Sequence, residues 1–287
     1  MERKFKNLFK KFKRPDAKDN MNKDHLITAI KASLEAGKVI MEVYDSVFEV
    51  EYKDDKSPLT QADKKANAII NSFLVPTGIP IISEENKQTD YSVRKNWDTC
   101  WVVDPVDGTK EFIKRNGEFT VNIALIINGK SELGVIYVPA IRTLYYADVN
   151  QKAAYKTELS SHNAAIKDVL RWSIPLKPKT GKEKTIQVVG SRSHMSQETL
   201  DFVENLKGQG KAVEIVSKGS SLKFCLVAEG NADVYPRYAP TMEWDTAAGQ
   251  AICNAVNIDV ISKETNKPLL YNKENLLNPW FLVAKKQ

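Results

Sequence analysis

The chain has 287 residues, 42% of them hydrophobic and 27% charged, the composition of a water-soluble globular protein with room for one large domain or two ordinary ones. No apolar run reaches membrane-spanning length. Its three scattered cysteines, Cys100, Cys225 and Cys253, suit reduced core thiols in a cytoplasmic protein better than a disulfide framework or a metal site. The formal charge of +6 resides in residues 1–23, where nine Lys/Arg face three Asp/Glu; the other 33 basic and 33 acidic residues balance, so a nucleic-acid surface is not implied.

Within residues 1–23, Phe5, Leu8, Phe9 and Phe12 fall at helical spacing between lysines and arginines. A helix here would be basic and amphipathic, and the stretch lacks the continuous apolar core of a secretory signal. Two readings stand: weak peripheral contact with the inner, anionic face of a membrane, or a flexible leader ahead of the folded body.

Residues 24–44 carry Ile27, Ile30, Leu34 and Met41 on one face and predict an amphipathic helix with Asn22 as its N-cap. Phe48, Val50 and Tyr52 alternate with charged residues as a half-buried strand does. Thr60-Gln61-Ala62-Asp63 has the form of a capping box opening a second helix that runs to about Leu74. A short buried strand, Ile79–Ile82, then ends in Ser83-Glu84-Glu85. Trp101-Val102-Val103 reads as the end of another buried strand, followed by Asp104-Pro105-Val106-Asp107-Gly108-Thr109. Pro105 and Gly108 favour a tight turn in which both acids and the Val106 carbonyl converge.

Glu118–Ile127 and Glu132–Val138 predict two strands joined at Asn128-Gly129, a hairpin signal, and Leu144–Val149 a third, so this part is antiparallel. Residues 160–184 are polar and lysine-rich, with Pro175, Pro178 and Gly181, and mark the expected domain boundary. Beyond it strands and helices alternate. Thr185–Val189, Ala212–Val216 and Ala232–Tyr235 are strands; Gln197–Leu206, Ser220–Glu229 and Trp244–Asn254 are helices; short strands follow near Ile258 and Phe281. That rhythm predicts a mostly parallel sheet with helices on both faces. The expected division is a leader over 1–23, a metal-binding α+β domain over 24–175 and a substrate-binding α/β domain over 176–287.

Three strand ends or helix starts thus deliver acids: Glu84-Glu85, Asp104 with Asp107, and Glu243-Trp244-Asp245. In layered α/β proteins such positions project into one crevice. Like charges brought so close repel unless a cation lies among them, and oxygen donors without His or Cys suit Mg²⁺ better than zinc. Competing motifs fail on spacing. Asp104, Val106 and Gly108 do not fit an EF-hand loop. Asn128-Gly129-Lys130-Ser131 resembles the end of a phosphate-binding loop, but Ala124 stands where its first glycine belongs. His25, His162 and His194 are too dispersed for a zinc site.

Taken together, Glu84-Glu85, Asp104-Pro105-Val106-Asp107-Gly108-Thr109 and Trp244-Asp245-Thr246-Ala247-Ala248-Gly249 resemble the inositol monophosphatase superfamily of Mg²⁺-dependent, lithium-sensitive phosphatases. Lys110-Glu111-Phe112, Ser191-Arg192-Ser193-His194, Gly219-Ser220-Ser221-Leu222-Lys223-Phe224 and Tyr235-Pro236-Arg237 resemble its bacterial bisphosphate-nucleotidase branch. The similarity runs from about residue 24 to the C-terminus.

The resemblance implies a sugar-phosphatase-like five-layer αβαβα sandwich, with an antiparallel sheet in the first half and a mostly parallel one in the second. It implies two or three Mg²⁺ ions held by Glu84, Asp104, the Val106 carbonyl, Asp107 and Asp245, with Glu85 a neighbour of less defined role. Asp63 and Thr109 would polarise the attacking water, and Glu84 would help orient it. Gly108, Thr109, Ser191, Arg192, His194, Ser220, Lys223, Arg237 and Asp245 would meet substrate, the cations clamping a second phosphate. The implied reaction removes the 3′-phosphate of 3′-phosphoadenosine 5′-phosphate. The alternatives are an inositol phosphate or sugar bisphosphate substrate in the same fold, or a non-catalytic nucleotide sensor.

Overall fold

The computed structural model describes residues 17–47, 50–52, 58–179, 185–190 and 195–285. The basic run up to residue 16, and with it Phe5, Leu8, Phe9 and Phe12, lies outside the described residues, as do Phe48 and Glu49 of the first expected strand. No helix among the described residues is long and apolar enough to cross a membrane.

The first helix, α1 (Ala17–Tyr44), begins earlier than its apolar periodicity suggests, so Asn22 lies within it and is buried. The capping role expected of Asn22 is therefore corrected: a helix start earlier in the chain turns a cap candidate into an interior residue. A two-stranded ribbon, β1 (Val50–Tyr52) and β2 (Pro58–Thr60), leads to α2 (Gln61–Leu74). Seven strands then form the larger sheet: β3 (Ile81–Ser83), β4 (Thr99–Asp107), β5 (Thr120–Ile127), β6 (Lys130–Val138), β7 (Thr143–Asp148), β8 (Ala153–Glu158) and β9 (Ile174–Pro175), side by side in chain order. The sheet is antiparallel throughout except that β3 runs parallel to β4. Two short helices, α3 (Tyr91–Arg94) and α4 (Thr109–Ile113), flank β4. A third, α5 (Ile166–Trp172), crosses the polar stretch whose sequence predicts no element; its Val169 is fully buried.

The second sheet contains β10 (Thr185–Gly190), β11 (Ala212–Ser217), β12 (Val234–Arg237), β13 (Ile258–Ser262) and β14 (Phe281–Lys285), in the order β11-β10-β12-β14-β13. Its first three strands are mutually parallel, as the alternating rhythm predicts. β14 and β13 run antiparallel, because residues 263–280 between them supply no crossover helix. The helices of this half are α6 (Gln197–Gly208), α7 (Leu222–Ala228) and α8 (Glu243–Ala255).

Five layers result. α1 and α2 cover one face of the seven-stranded sheet; α7 and α8 lie between the two sheets; α6 covers the far face of the second. Trp101, Phe112, Phe119 and Tyr137 fill the outer core without exposure, and each such side chain contributes about 1.5–3 kcal/mol by leaving water. The inner core takes Val102, Ile136 and Ile82 from one sheet and Tyr235, Phe281 and Val283 from the other, around Phe224 and Ile252.

Candidate active site

β4 sets the first two acids. In the parallel register Ser83 stands beside Val103, and the Glu84 N–H donates to the Val103 carbonyl at 3.1 Å, so Glu84 emerges next to Asp104. On the other side Asp104 pairs with Asn122 and Asp107 with Thr120, three steps on β4 against two on β5. The extra residue makes a bulge, and Pro105, which has no N–H to give a ladder, sits within it. The expected tight turn at Asp104–Asp107 is therefore corrected to a bulge inside a strand that runs on to Asp107. The bulge swings both carboxylates to one side, and Asp104 Oδ1 accepts the Val106 N–H at 3.0 Å.

α8 brings the third acid. Asp245 stands in its first turn, where Oδ2 accepts the Met242 N–H at 2.7 Å. Carboxylate oxygens of Asp104, Asp107 and Asp245 lie within 4.8 Å of one another, close enough to share a cation. Burial, followed by the charges of Glu84, Asp107, Asp245 and Asp63, pushes the Asp104 carboxyl well above the usual carboxylate range. Burial and then Asp107 raise Asp245 to about 7. Added positive charge favours the ionised form of acids held this way, and an all-oxygen donor set fits a hard divalent cation.

Asp63 serves two ends. Its Oδ2 accepts the Thr60 N–H at 2.8 Å and the Thr60 hydroxyl at 2.6 Å, closing the capping box of α2. Its Oδ1 lies 3.4 Å from Thr109 Oγ1, which is also 3.3 Å from the Val106 carbonyl. Burial raises the Asp63 carboxyl, an effect that the Thr60 hydrogen bonds oppose. Gly108, at φ +93°, caps α4; a β-carbon there would collide with the Ser220 hydroxyl, so both the backbone angle and the space require glycine.

A cleft of about 380 Å³ opens beside the acids, lined among others by Asp107, Gly108, Ser220, Lys223, Arg237 and Asp245. Lys223 is only 9% exposed, and its ammonium lies 5.9 Å from the Tyr235 ring centre. Burial holds its pKa down to about 8. Arg237 donates to the Pro240 carbonyl at 3.1 Å, while its buried Nε has no partner. The structure thus brings Asp63, Glu84, Asp104, Val106, Asp107, Gly108, Thr109, Ser220, Lys223, Arg237 and Asp245 to one region. The Ser220 hydroxyl is taken up by the Asp107 and Glu118 carbonyls, each at 2.7 Å. Ser191, Arg192 and His194 lie outside the described residues.

Four further residues to which the sequence assigned no role build the site, Ser221 among them although it lies in the stretch 219–224. Ser221 donates to Asp107 Oδ2 at 2.6 Å and lies 3.0 Å from the Asp245 carbonyl, bridging the two acids. Asn122 donates to Ser221 at 2.8 Å and lies 3.3 Å from Asp107 Oδ2, with Thr120 beside it. Glu118 accepts the Gly219 N–H at 2.8 Å and pairs with Lys218 at 3.2 Å, fixing the loop ahead of α7. Thr120 and Asn122 did leave a signal, being polar residues in an otherwise apolar strand, where a buried polar group needs a partner.

With this geometry in place, residues 21–281 match the model of the inositol monophosphatase family. The chain belongs to that family. Among curated relatives, a 3′(2′),5′-bisphosphate nucleotidase CysQ from Salmonella typhimurium is 45% identical over 254 residues, 87% of this chain and 95% of that protein. Another of the same name, from Haemophilus influenzae, is 32% identical over 269 residues, 92% of this chain and 94% of the relative. The crystal structure of CysQ from Bacteroides thetaiotaomicron superposes with a TM-score of 0.82 at 48% identity, covering 92% of this chain and 98% of that one. An inositol monophosphatase II from Staphylococcus aureus, at 23% identity and a TM-score of 0.67 over 90% and 88% of the two chains, shares the family fold.

Proposed function

We propose that this family member hydrolyses the 3′-phosphate of 3′-phosphoadenosine 5′-phosphate, giving AMP and inorganic phosphate. The observation that carries the reading is a single cleft joining the carboxylate cluster at Asp107 and Asp245 to the cations Lys223 and Arg237. A bisphosphate has one phosphate for each end; an inositol monophosphate has nothing for the cationic end. The names borne by relatives such as the Salmonella protein support the same substrate.

Asp104, Asp107, Asp245, the Val106 carbonyl and Glu84 would hold Mg²⁺. The ions would supply Lewis-acid stabilisation of the charge that builds on the transferring phosphoryl group. The chain's own groups do the rest. The Thr109 hydroxyl can donate to Asp63 and accept from a water beside it; as the water gives its proton to Thr109 Oγ1, the Thr109 hydroxyl proton passes to Asp63, whose affinity for it burial raises. Backbone N–H groups at the start of α4 are available to phosphate oxygens. Lys223 and Arg237, both lining the cleft, bind the second phosphate.

Phosphate release from 3′-phosphoadenosine 5′-phosphate, inositol 1-phosphate and fructose 1,6-bisphosphate, each with and without Mg²⁺, tests the reading. The nucleotide should be hydrolysed fastest and only with Mg²⁺; preference for either other substrate would overturn it. Asp107→Asn should reduce turnover by about 100-fold or more, as removal of a preorganised electrostatic group does. Mg²⁺-dependent release that disappears in this variant excludes a non-catalytic nucleotide sensor; release undiminished in it would overturn the role given to Asp107.

A further inference from the structure

Glu84 hangs from the three-residue strand β3, which lies at the edge of the seven-stranded sheet beside β4. An edge strand this short holds little position by its own ladder. The turn that follows it is tied to α2 by side-chain amides. Asn86 Oδ1 accepts from Asn67 Nδ2 at 2.8 Å and from Asn71 Nδ2 at 3.0 Å. Ser83, the residue before Glu84, donates its hydroxyl to Asn67 Oδ1 at 2.8 Å. Gln88 closes the turn from the other side, donating to the Ser83 carbonyl at 2.7 Å.

The placement of these amides on α2 is what gives them a function. Asp63, Asn67 and Asn71 follow at intervals of four and therefore share one face of the helix. The first reaches Thr109 in the active site; the next two hold the turn that presents Glu84. We propose that Asn67, Asn71 and Asn86 form an amide clasp that fixes Glu84 relative to Asp63 and Asp104, making them positioning residues for the metal-binding acids. The proposal rests on the reading of Glu84 as one of those acids. Uncharged amides are well matched to such a clasp, because they bind both the donor and the acceptor groups of the turn without adding charge beside Glu84 and Asp104. They are also half-buried and lie outside the substrate cleft, so their loss should act on catalysis and metal binding and not on nucleotide affinity.

The test compares Asn67→Ala, Asn86→Ala and the double variant with the wild-type chain by two measurements. The first is steady-state hydrolysis of 3′-phosphoadenosine 5′-phosphate at saturating Mg²⁺. The second is the Mg²⁺ concentration giving half of the maximal rise in melting temperature, measured without substrate. Each single variant should lower kcat and raise the Mg²⁺ midpoint by about 10-fold or more, the usual effect of removing a group that orients a metal ligand, while KM stays within about twofold. The double variant should be little worse than either single one, because the two amides act as a unit. A lower melting temperature with kcat and the Mg²⁺ midpoint unchanged would reduce the clasp to a structural tie and overturn the proposal. Additive losses in the double variant would overturn it too. If the wild-type chain hydrolyses none of the substrates, the functional reading fails, and the Mg²⁺ midpoint still decides on the clasp.

Discussion

Lys223 is a single side chain on which the proposed phosphate recognition and a pH dependence would both rest. Its ammonium sits in a nearly closed environment beside Tyr235, and burial lowers its pKa to about 8. The charged form binds a phosphate; the neutral form offers it far less. A lysine whose pKa is depressed loses its proton earlier as pH rises, so kcat/KM for the nucleotide bisphosphate should decline above about pH 8. That parameter reports groups of the free enzyme. Lys223→Gln should lower kcat/KM by about 10- to 100-fold at pH 7, the equivalent of a charged hydrogen bond of about 1.5–3 kcal/mol, and should abolish the alkaline decline. An unchanged decline in the variant would assign the effect to another group. At this scale the sequence was legible where residue type and position foretold proximity, as for Asp104, Asp107 and Asp245, which the fold brings within 4.8 Å of one another. It was not legible for Ser221, whose hydroxyl bridges Asp107 and the Asp245 carbonyl. A serine gains that role only from what the fold sets opposite it.

At the scale of elements, α8 connects the acid cluster to the sheet beneath it. It packs across β4, β5 and β6, and at Gly134 on β6 a β-carbon would press on the Ala248 carbonyl and approach the Ala251 Cβ to 2.8 Å. Backbone cannot yield as a flexible side chain can, so even alanine must displace the helix. Overpacking of this kind costs about 1–3 kcal/mol. Gly134→Ala should therefore lower the melting temperature by several degrees and shift Asp245 relative to β4, with Mg²⁺ affinity falling alongside. A variant with wild-type melting and Mg²⁺ response would mean that the helix accommodates the methyl group without moving. Elements with strong local signals were readable in advance. The amphipathic periodicity of α1, the capping box of α2 and the β5–β6 hairpin all emerge in the structure. The bulge in β4 was not, because it depends on the register against β5. Nor was α5, whose few apolar residues lie in a lysine-rich stretch. The reversed direction of β14 was hidden for a similar reason: strand direction follows from the path of residues 263–280, which no short-range pattern records.

For the whole molecule, the consequence is that folding brings together charges that resist being brought together. β4 from the first half and α8 from the second meet through the inner core, which residues of both sheets share, and this sets the carboxylates of Asp104, Asp107 and Asp245 close together although they repel. The repulsion still appears in the pH dependence of stability. Because Asp245 titrates near 7 in the metal-free fold and near 3.8 when free of it, the folded state binds more protons than the unfolded one between these values. Stability of the metal-free protein should therefore fall as pH rises through about 7. Asp104, raised by the same causes, acts in the same direction. A divalent cation held by these acids would compete with those protons, so the benefit of added Mg²⁺ should be larger at about pH 8 than at about pH 6. At 100 times its dissociation constant a cation that binds only the folded state adds about 2.7 kcal/mol, a rise of several degrees for a chain of this size. Melting curves in chelator and in excess Mg²⁺ at the two pH values check this. A stabilisation equal at both, or absent, would mean that the three carboxylates do not share a cation in solution.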